Sequence, residues 1–114
     1  MPRSSAASRA RLLRRIEIMA VCDTLRHWSI VPPELAKRLR PRVARVGDAL
    51  LTLSAASDSL RMNRVIGLDS RGLAREPMID EIIAFYRAAR VARFSLLLGP
   101  APGAGTIAGW LARR

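Results

Sequence analysis

Apolar residues recur at helical spacing in the first third of the chain. Over residues 12–25 they return every three or four positions, the repeat of a helix face, and Asp23 and Thr24 offer a break or cap near the end of this pattern. Pro32-Pro33-Glu34 predicts the entry to a short second helix, because proline is tolerated in the first helical turn, where its missing N–H has no partner. Pro41 ends that helix.

The second half of the chain carries two further helical patterns. Residues 78–89 have one broad apolar face with charged residues opposite, and this is the clearest helix of the sequence. Asp80 and Glu81 near its start and Arg87 near its end complement the helix dipole. A last helix is predicted to run from a Thr106 cap to the end of the sequence.

Shorter apolar segments between the helices are typical of strands. Two of them flank Gly47-Asp48 and predict a hairpin, since glycine takes the positive φ of a tight turn without strain. Residues 61–68 alternate as a third strand does, and 94–98 form a short apolar run typical of a buried strand. Strand, helix and strand in succession predict a parallel crossover, so we expect an α/β (α+β) layer fold.

The charge of the chain raises nucleic-acid binding as a candidate function. The chain has 20 Lys and Arg against 9 Asp and Glu, a net charge of +11, and basic side chains neutralise nucleic-acid phosphates. Lys37 is the one lysine, however, and such an arginine bias also follows from a GC-rich coding sequence. Stacking aromatics interleaved with arginine are absent from the sequence. We therefore do not expect nucleic acid as the main partner.

Several functions are excluded by what the sequence lacks. No apolar run reaches the roughly 18 to 20 residues of a membrane span, so we expect no membrane partner and a cytoplasmic protein. We expect Cys22, the single cysteine, to be buried, and His27, the single histidine, to be a packed or surface residue. No set of side chains has the spacing of a metal site, and the catalytic residues stay unknown. The Gly99–Gly105 cluster predicts a turn, since its two prolines lack N–H donors.

Three segments together resemble a known family. MNRVIGL at 62–68 is followed by IDEIIAFYRAARVARFSLLLGP at 79–100 and AGWLARR at 108–114, and Pro-Glu-Leu-Ala comes earlier at 33–36. Over about residues 30–114 the chain resembles the N-terminal portion of a bacterial GNAT-family N-acetyltransferase. The resemblance implies a mixed, strongly twisted sheet with flanking helices. It also implies acyl transfer from acetyl-CoA to an amine substrate.

The resemblance also implies a cofactor loop. In this family the pyrophosphate lies on backbone amides of an Arg/Gln-x-x-Gly-x-Gly/Ala loop that opens a helix, where N–H groups and the helix dipole hold an anion. The matching segment here begins with Asp69, an acid where Arg or Gln belongs, and a carboxylate repels a pyrophosphate. This departure is similar to tandem proteins whose first GNAT-like half is degenerate. The contacts implied for acetyl-CoA are the amides of Gly72, Leu73 and Ala74, with Arg71 and Arg75 available to a phosphate.

We therefore expect a GNAT-related chain that is a truncated, non-catalytic N-terminal module, incomplete at its C-terminus. Residues 1–18 are interpreted as a basic, flexible extension and 19–114 as the partial domain. The missing C-terminal half or a second copy would then be its partner. Two alternatives stay open. One is a non-enzymatic interaction or dimerisation module that uses the sheet edge after 94–98 or the last helix, and the other is a basic nucleic-acid-binding protein.

Overall fold

The computed structural model describes residues 6–57, 59–69, 71–98 and 103–114. Helices and strands are mixed along this chain, as predicted. Residues 99–102, which hold most of the predicted glycine and proline turn, lie outside the described residues. The elements in chain order are helix α1 (Ala6–Ser29), helix α2 (Pro33–Leu39), strand β1 (Pro41–Val46), strand β2 (Ala49–Ser54), strand β3 (Arg64–Ile66), helix α3 (Glu76–Ala88), strand β4 (Ser95–Leu96) and helix α4 (Ala104–Ala112).

The strands form one mixed sheet in the order β1-β2-β3-β4. β1, β2 and β3 are antiparallel neighbours, and β4 lies parallel to β3 after the α3 crossover. The predicted hairpin is confirmed: Val46 pairs with Ala49 across the turn, and Gly47 has a φ of 57°. The third and fourth strands are confirmed at the predicted places, although each is shorter than its sequence pattern.

The core lies between the sheet and the two C-terminal helices. Every residue of β2 is buried, which explains why its sequence reads as a nearly continuous apolar run. From α3, Ile79, Ile82 and Tyr86 are buried against the sheet, and Ile107 of α4 joins the same cluster. The three buried α3 residues recur at helical spacing and belong to the apolar face that the sequence predicted for 78–89.

A buried asparagine joins three segments at one end of the sheet. The Asn63 side chain is fully buried, and its Oδ1 accepts a 2.8 Å hydrogen bond from the Ser54 N–H. Its Nδ2 donates to the Ser57 carbonyl at 2.8 Å, and its own carbonyl accepts from the Ser95 N–H at 3.0 Å. Asn63 therefore holds the end of β2, the loop after it and β4 together.

The first helix is longer than predicted. α1 continues through Asp23 and Thr24 to Ser29, so the predicted break there is wrong. Beyond Thr24, Trp28 is half-buried on the same side of the helix as Val21. In the last turn, Ser29 Oγ donates a hydrogen bond to the Arg26 carbonyl. α1 also crosses the boundary between residues 18 and 19 without interruption. The division of the chain at residue 18 stays a prediction.

α1 meets the sheet at a point of close approach. Val21 is buried with Leu50 and Ile66 in a small cluster beneath the helix. Gly67, directly after β3, has a φ of 78°, and a Cβ there would lie 2.5 Å from Val21 Cγ2. Glycine is thus needed both for the backbone conformation and for the contact with the helix.

The last helix begins earlier than predicted. α4 starts at Ala104 with Gly103 as its N-cap, and Thr106 is an exposed residue inside the helix rather than its cap. Its C-terminal end is fixed to α3 by ion pairs. Arg114 contacts both Glu76, at 2.9 Å, and Asp80, at 3.0 Å. Asp80 and Glu81 are exposed, as predicted.

Candidate anion-binding loop

The segment implied to hold a cofactor lies between β3 and α3. Gly72 has a φ of 69°, so the chain turns there through a conformation that glycine adopts without strain. Arg75 is the N-cap of α3 and its side chain is exposed. The loop therefore leads directly into the N-terminus of a helix, as a phosphate-binding loop does.

Two of the three amides implied to hold a pyrophosphate are already paired within the loop. The Gly72 N–H donates to the Asp69 carbonyl at 3.0 Å, and the Ala74 N–H donates to Asp69 Oδ1 at 3.3 Å. The Leu73 N–H has no such partner in the described part of the chain. Asp69 thus supplies, from within the loop, the negative oxygen that an external anion would otherwise bring.

Asp69 also faces two other helices. Its carboxylate lies so close to Gly103 that a Cβ on that glycine would collide with it, which places a negative charge at the N-terminus of α4. Glu17 of α1 is near enough for the two acids to interact. Burial and, secondly, the Asp69 charge raise the pKa of Glu17 above its ordinary value. The surroundings of the loop are therefore acidic on this side.

One arginine from α1 covers the glycine of the loop. A Cβ on Gly72 would lie 2.8 Å from the terminal nitrogen of Arg14. The Nε atom of Arg14 is buried and makes no hydrogen bond within the described residues. Arg14 and Glu17 lie on the same side of α1 as Val21, at helical spacing, so this side of the helix is partly polar where it meets the loop.

Arg71, which the resemblance makes available to a phosphate, is held by an acid of this chain. Its Nε and Nη2 atoms donate to both carboxylate oxygens of Asp48 at 2.7–3.0 Å. The Asp48 side chain is 13% exposed, whereas that of Arg71 is 65% exposed. Hydrogen bonds from Arg71 lower the pKa of Asp48, and Arg45 adds a smaller effect in the same direction. The pair ties the loop to the β1–β2 turn.

This ion pair predicts a pH-dependent stability. Because the pKa of Asp48 is lowered on folding, its contribution is present above the pKa of an unfolded aspartate, about 3.9, and is lost as the pH falls through the folded pKa. We expect Arg71→Gln to lower the free energy of unfolding at neutral pH, and this difference from wild type to vanish in acid. Urea unfolding at a series of pH values measures it.

The matched control is Arg61→Gln, which removes another exposed arginine from a loop without breaking an ion pair of the described residues. That variant should follow the wild-type curve at every pH. A difference for Arg71→Gln that persists unchanged in strong acid would contradict the role of Asp48.

A groove of about 330 Å³ lies beside this ion pair. Asp48, Arg71 and Arg45 form its polar side, and Ile18 and Cys22 of α1 contribute to the other. Cys22 is exposed, so the prediction that it is buried is wrong. Its position, one residue after the sheet-facing Val21, turns it about 100° away from the core.

The structure therefore brings together some of the implied residues and separates others. Gly72 and Ala74 form one turn around Asp69, whereas Arg71 points to Asp48 and Arg75 is exposed. Sequence reasoning missed four residues that contact this loop: Asp48, Gly103, Arg14 and Glu17. Of these, only Arg14 and Glu17 share a sequence signal, the helical spacing that also includes Val21.

Comparison with known proteins identifies no relative. No family model matches the chain, no curated protein matches it, and no solved structure matches it. Among the described residues no group of three or more histidine, cysteine or acidic side chains could hold a metal ion. In the same residues no helix is both long and apolar enough to cross a membrane.

Proposed function

We propose that this chain is a GNAT-related module, derived from proteins that transfer an acetyl group from acetyl-CoA to an amine, and that its 69–75 loop no longer binds the cofactor. The observation that carries the second half of this proposal is the Asp69 carboxylate, which accepts the Ala74 N–H inside the loop. The chain is then a structural or interaction module rather than a catalyst.

The order of elements supports the first half of the proposal. Two helices precede three antiparallel strands, a glycine-containing loop leads from β3 into α3, and β4 returns parallel to β3. The resemblance implies a mixed sheet flanked by helices, and the loop lies where the implied cofactor segment begins a helix. The family assignment rests on this order together with the sequence segments 62–68 and 79–100.

Electrostatics support the second half. A pyrophosphate bound at this loop would lie near the carboxyl groups of Asp69 and Glu17, and the pKa of Glu17 is raised by burial and, secondly, by the Asp69 charge. It would also have to displace Asp69 from the Ala74 amide and would gain no help from Arg71, which pairs with Asp48. Arg14 places one positive charge over Gly72, against the carboxyl groups of Asp69 and Glu17. Like charges in a partly buried site oppose anion binding, because the local dielectric is lower than that of water.

Isothermal titration with acetyl-CoA tests the proposal. We expect wild type to show no binding at millimolar ligand. Asp69→Gln removes the charge and places at this position a residue of the family pattern, so we expect it to gain weak but measurable binding. The matched control is Glu81→Gln, which changes the net charge equally at an exposed position of α3 and should bind no better than wild type.

Two outcomes would contradict the proposal. Acetyl-CoA binding by wild type as tight as by Asp69→Gln would show that the carboxylate does not block the loop. If Asp69→Gln folds, as circular dichroism would report, and still binds nothing, the loop is no degenerate cofactor site and the GNAT assignment loses its functional support.

A further inference from the structure

α1 is apolar on two opposite sides. Val21 is buried against the sheet, whereas three large apolar side chains on the far side are exposed by more than half. With 3.6 residues per turn, positions 12, 16 and 19 fall on one line along the helix, opposite position 21. We call these three residues the α1 outer stripe: Leu12 is 57% exposed, Ile16 53% and Met19 68%.

Arginines surround the outer stripe. Four exposed arginines lie on α1, whereas the exposed acid of this helix, Asp23, comes four residues after Met19 on the line of the stripe and lies 3.5 Å from His27 Nδ1. Glu17 points the other way, toward the 69–75 loop, and is half-buried. On the helix, Arg11 and Arg15 border one side of the stripe and Arg9 borders the other. Arg26 continues the basic character one turn beyond Cys22.

We infer that the outer stripe docks α1 onto the surface of an anionic lipid bilayer, with the helix lying in the plane of the interface. Apolar side chains on one line enter the boundary between headgroups and acyl chains, while arginines on both borders contact lipid phosphates. The expectation of no membrane partner rests on the lack of a spanning run. A helix that lies on the surface needs no such run.

Other occupants of the stripe fit less well. Two copies of a chain with a net charge of +11 repel each other, and three side chains bury far less than the roughly 800 Å² per partner of a stable interface. Nucleic acid would use the arginines but would leave the apolar stripe exposed to water. An anionic bilayer satisfies both the charges and the apolar residues.

Co-sedimentation with vesicles tests this inference. The full chain should bind vesicles of phosphatidylglycerol and phosphatidylcholine and bind pure phosphatidylcholine weakly. We expect the double variant Ile16→Gln/Met19→Gln to lower the partition coefficient at least about tenfold, through lost apolar burial. Arg15→Gln should lower it about fivefold at low salt. Glutamine keeps the helix propensity of these positions, so the helix itself is preserved.

The matched control is Leu73→Gln/Leu97→Gln, which removes two equally exposed apolar side chains from outside α1. It should bind vesicles as wild type does, and thermal melting should show that all variants fold. The inference is overturned if wild type does not sediment with anionic vesicles, or if the stripe variant binds them undiminished. It is also overturned if light scattering shows a dimer that the stripe variant alone disrupts, since the stripe would then bind a second copy.

Discussion

Replacing Tyr86 by alanine is expected to lower the free energy of unfolding by about 3–5 kcal/mol, the range for removing a buried aromatic side chain. Tyr86 is fully buried in the centre of the core cluster. Its ring stacks on Phe94 with centroids 4.3 Å apart and meets the edge of Phe85 at 5.1 Å. The ring therefore joins α3 to the segment that leads into β4, and its loss would loosen the crossover.

The conservative variant Tyr86→Phe separates the ring from the hydroxyl. The Tyr86 hydroxyl donates a 2.7 Å hydrogen bond to the carbonyl of Thr52 in β2, and burial raises its pKa above the ordinary value. Phenylalanine keeps the packing but leaves that buried carbonyl without this donor, so we expect a loss of about 1–2 kcal/mol. Urea unfolding with an unchanged denaturant slope measures both variants. Equal losses for the two would show that packing contributes little.

Asn63→Asp is expected to destabilise the protein by about 2–4 kcal/mol at neutral pH, and by much less in acid. Aspartate can still accept the Ser54 N–H, but an ionised carboxylate cannot donate to the Ser57 carbonyl, as Asn63 Nδ2 does. The introduced carboxyl is buried against a carbonyl oxygen, so its pKa rises on folding. The part of the penalty that ionisation causes therefore appears as the pH rises above the unfolded pKa of about 3.9 and is absent below it.

The control for this prediction is Asn63→Ala, which removes both side-chain hydrogen bonds and adds no titratable group. Its loss relative to wild type should be the same at every pH, whereas that of Asn63→Asp should shrink as the carboxyl protonates. Unfolding curves for the three proteins at matched pH values provide the comparison. A constant penalty for Asn63→Asp across that range would contradict the role of Nδ2 as a buried donor.

Local signals predicted much of the fold. Glycine before Asp48 is enough to place the hairpin, and the apolar spacing within 78–89 is enough to place α3. The end of α1 was not predictable in the same way. Asp23 and Thr24 are ordinary cap residues, yet the helix continues past them to Ser29, and Trp28, seven residues after the buried Val21, is half-buried on the same side of the helix. The N-cap of α4 is Gly103 rather than Thr106, and Gly103 lies close to Asp69, a contact that no local sequence pattern shows.

The candidate site was predictable only in part. The sequence has an acid where the family that it resembles has a basic or amide residue, and this misfit alone predicts weak anion binding. The sequence does not show that the Asp69 carboxylate accepts a hydrogen bond from the Ala74 N–H. The contact of Arg14 with Gly72 was also hidden, because the two residues are far apart in the sequence and no local pattern joins them.

The pairing of strands shortens across the sheet, from six residue pairs between β1 and β2, to three between β2 and β3, to two between β3 and β4. A segment held by few backbone hydrogen bonds opens at a lower free energy than one held by many. The antiparallel strands are joined by short loops, whereas β4 can pair with β3 only across the long connection that contains α3. We therefore expect the sheet to assemble outward from the hairpin, with β4 the last strand to form and the first to open.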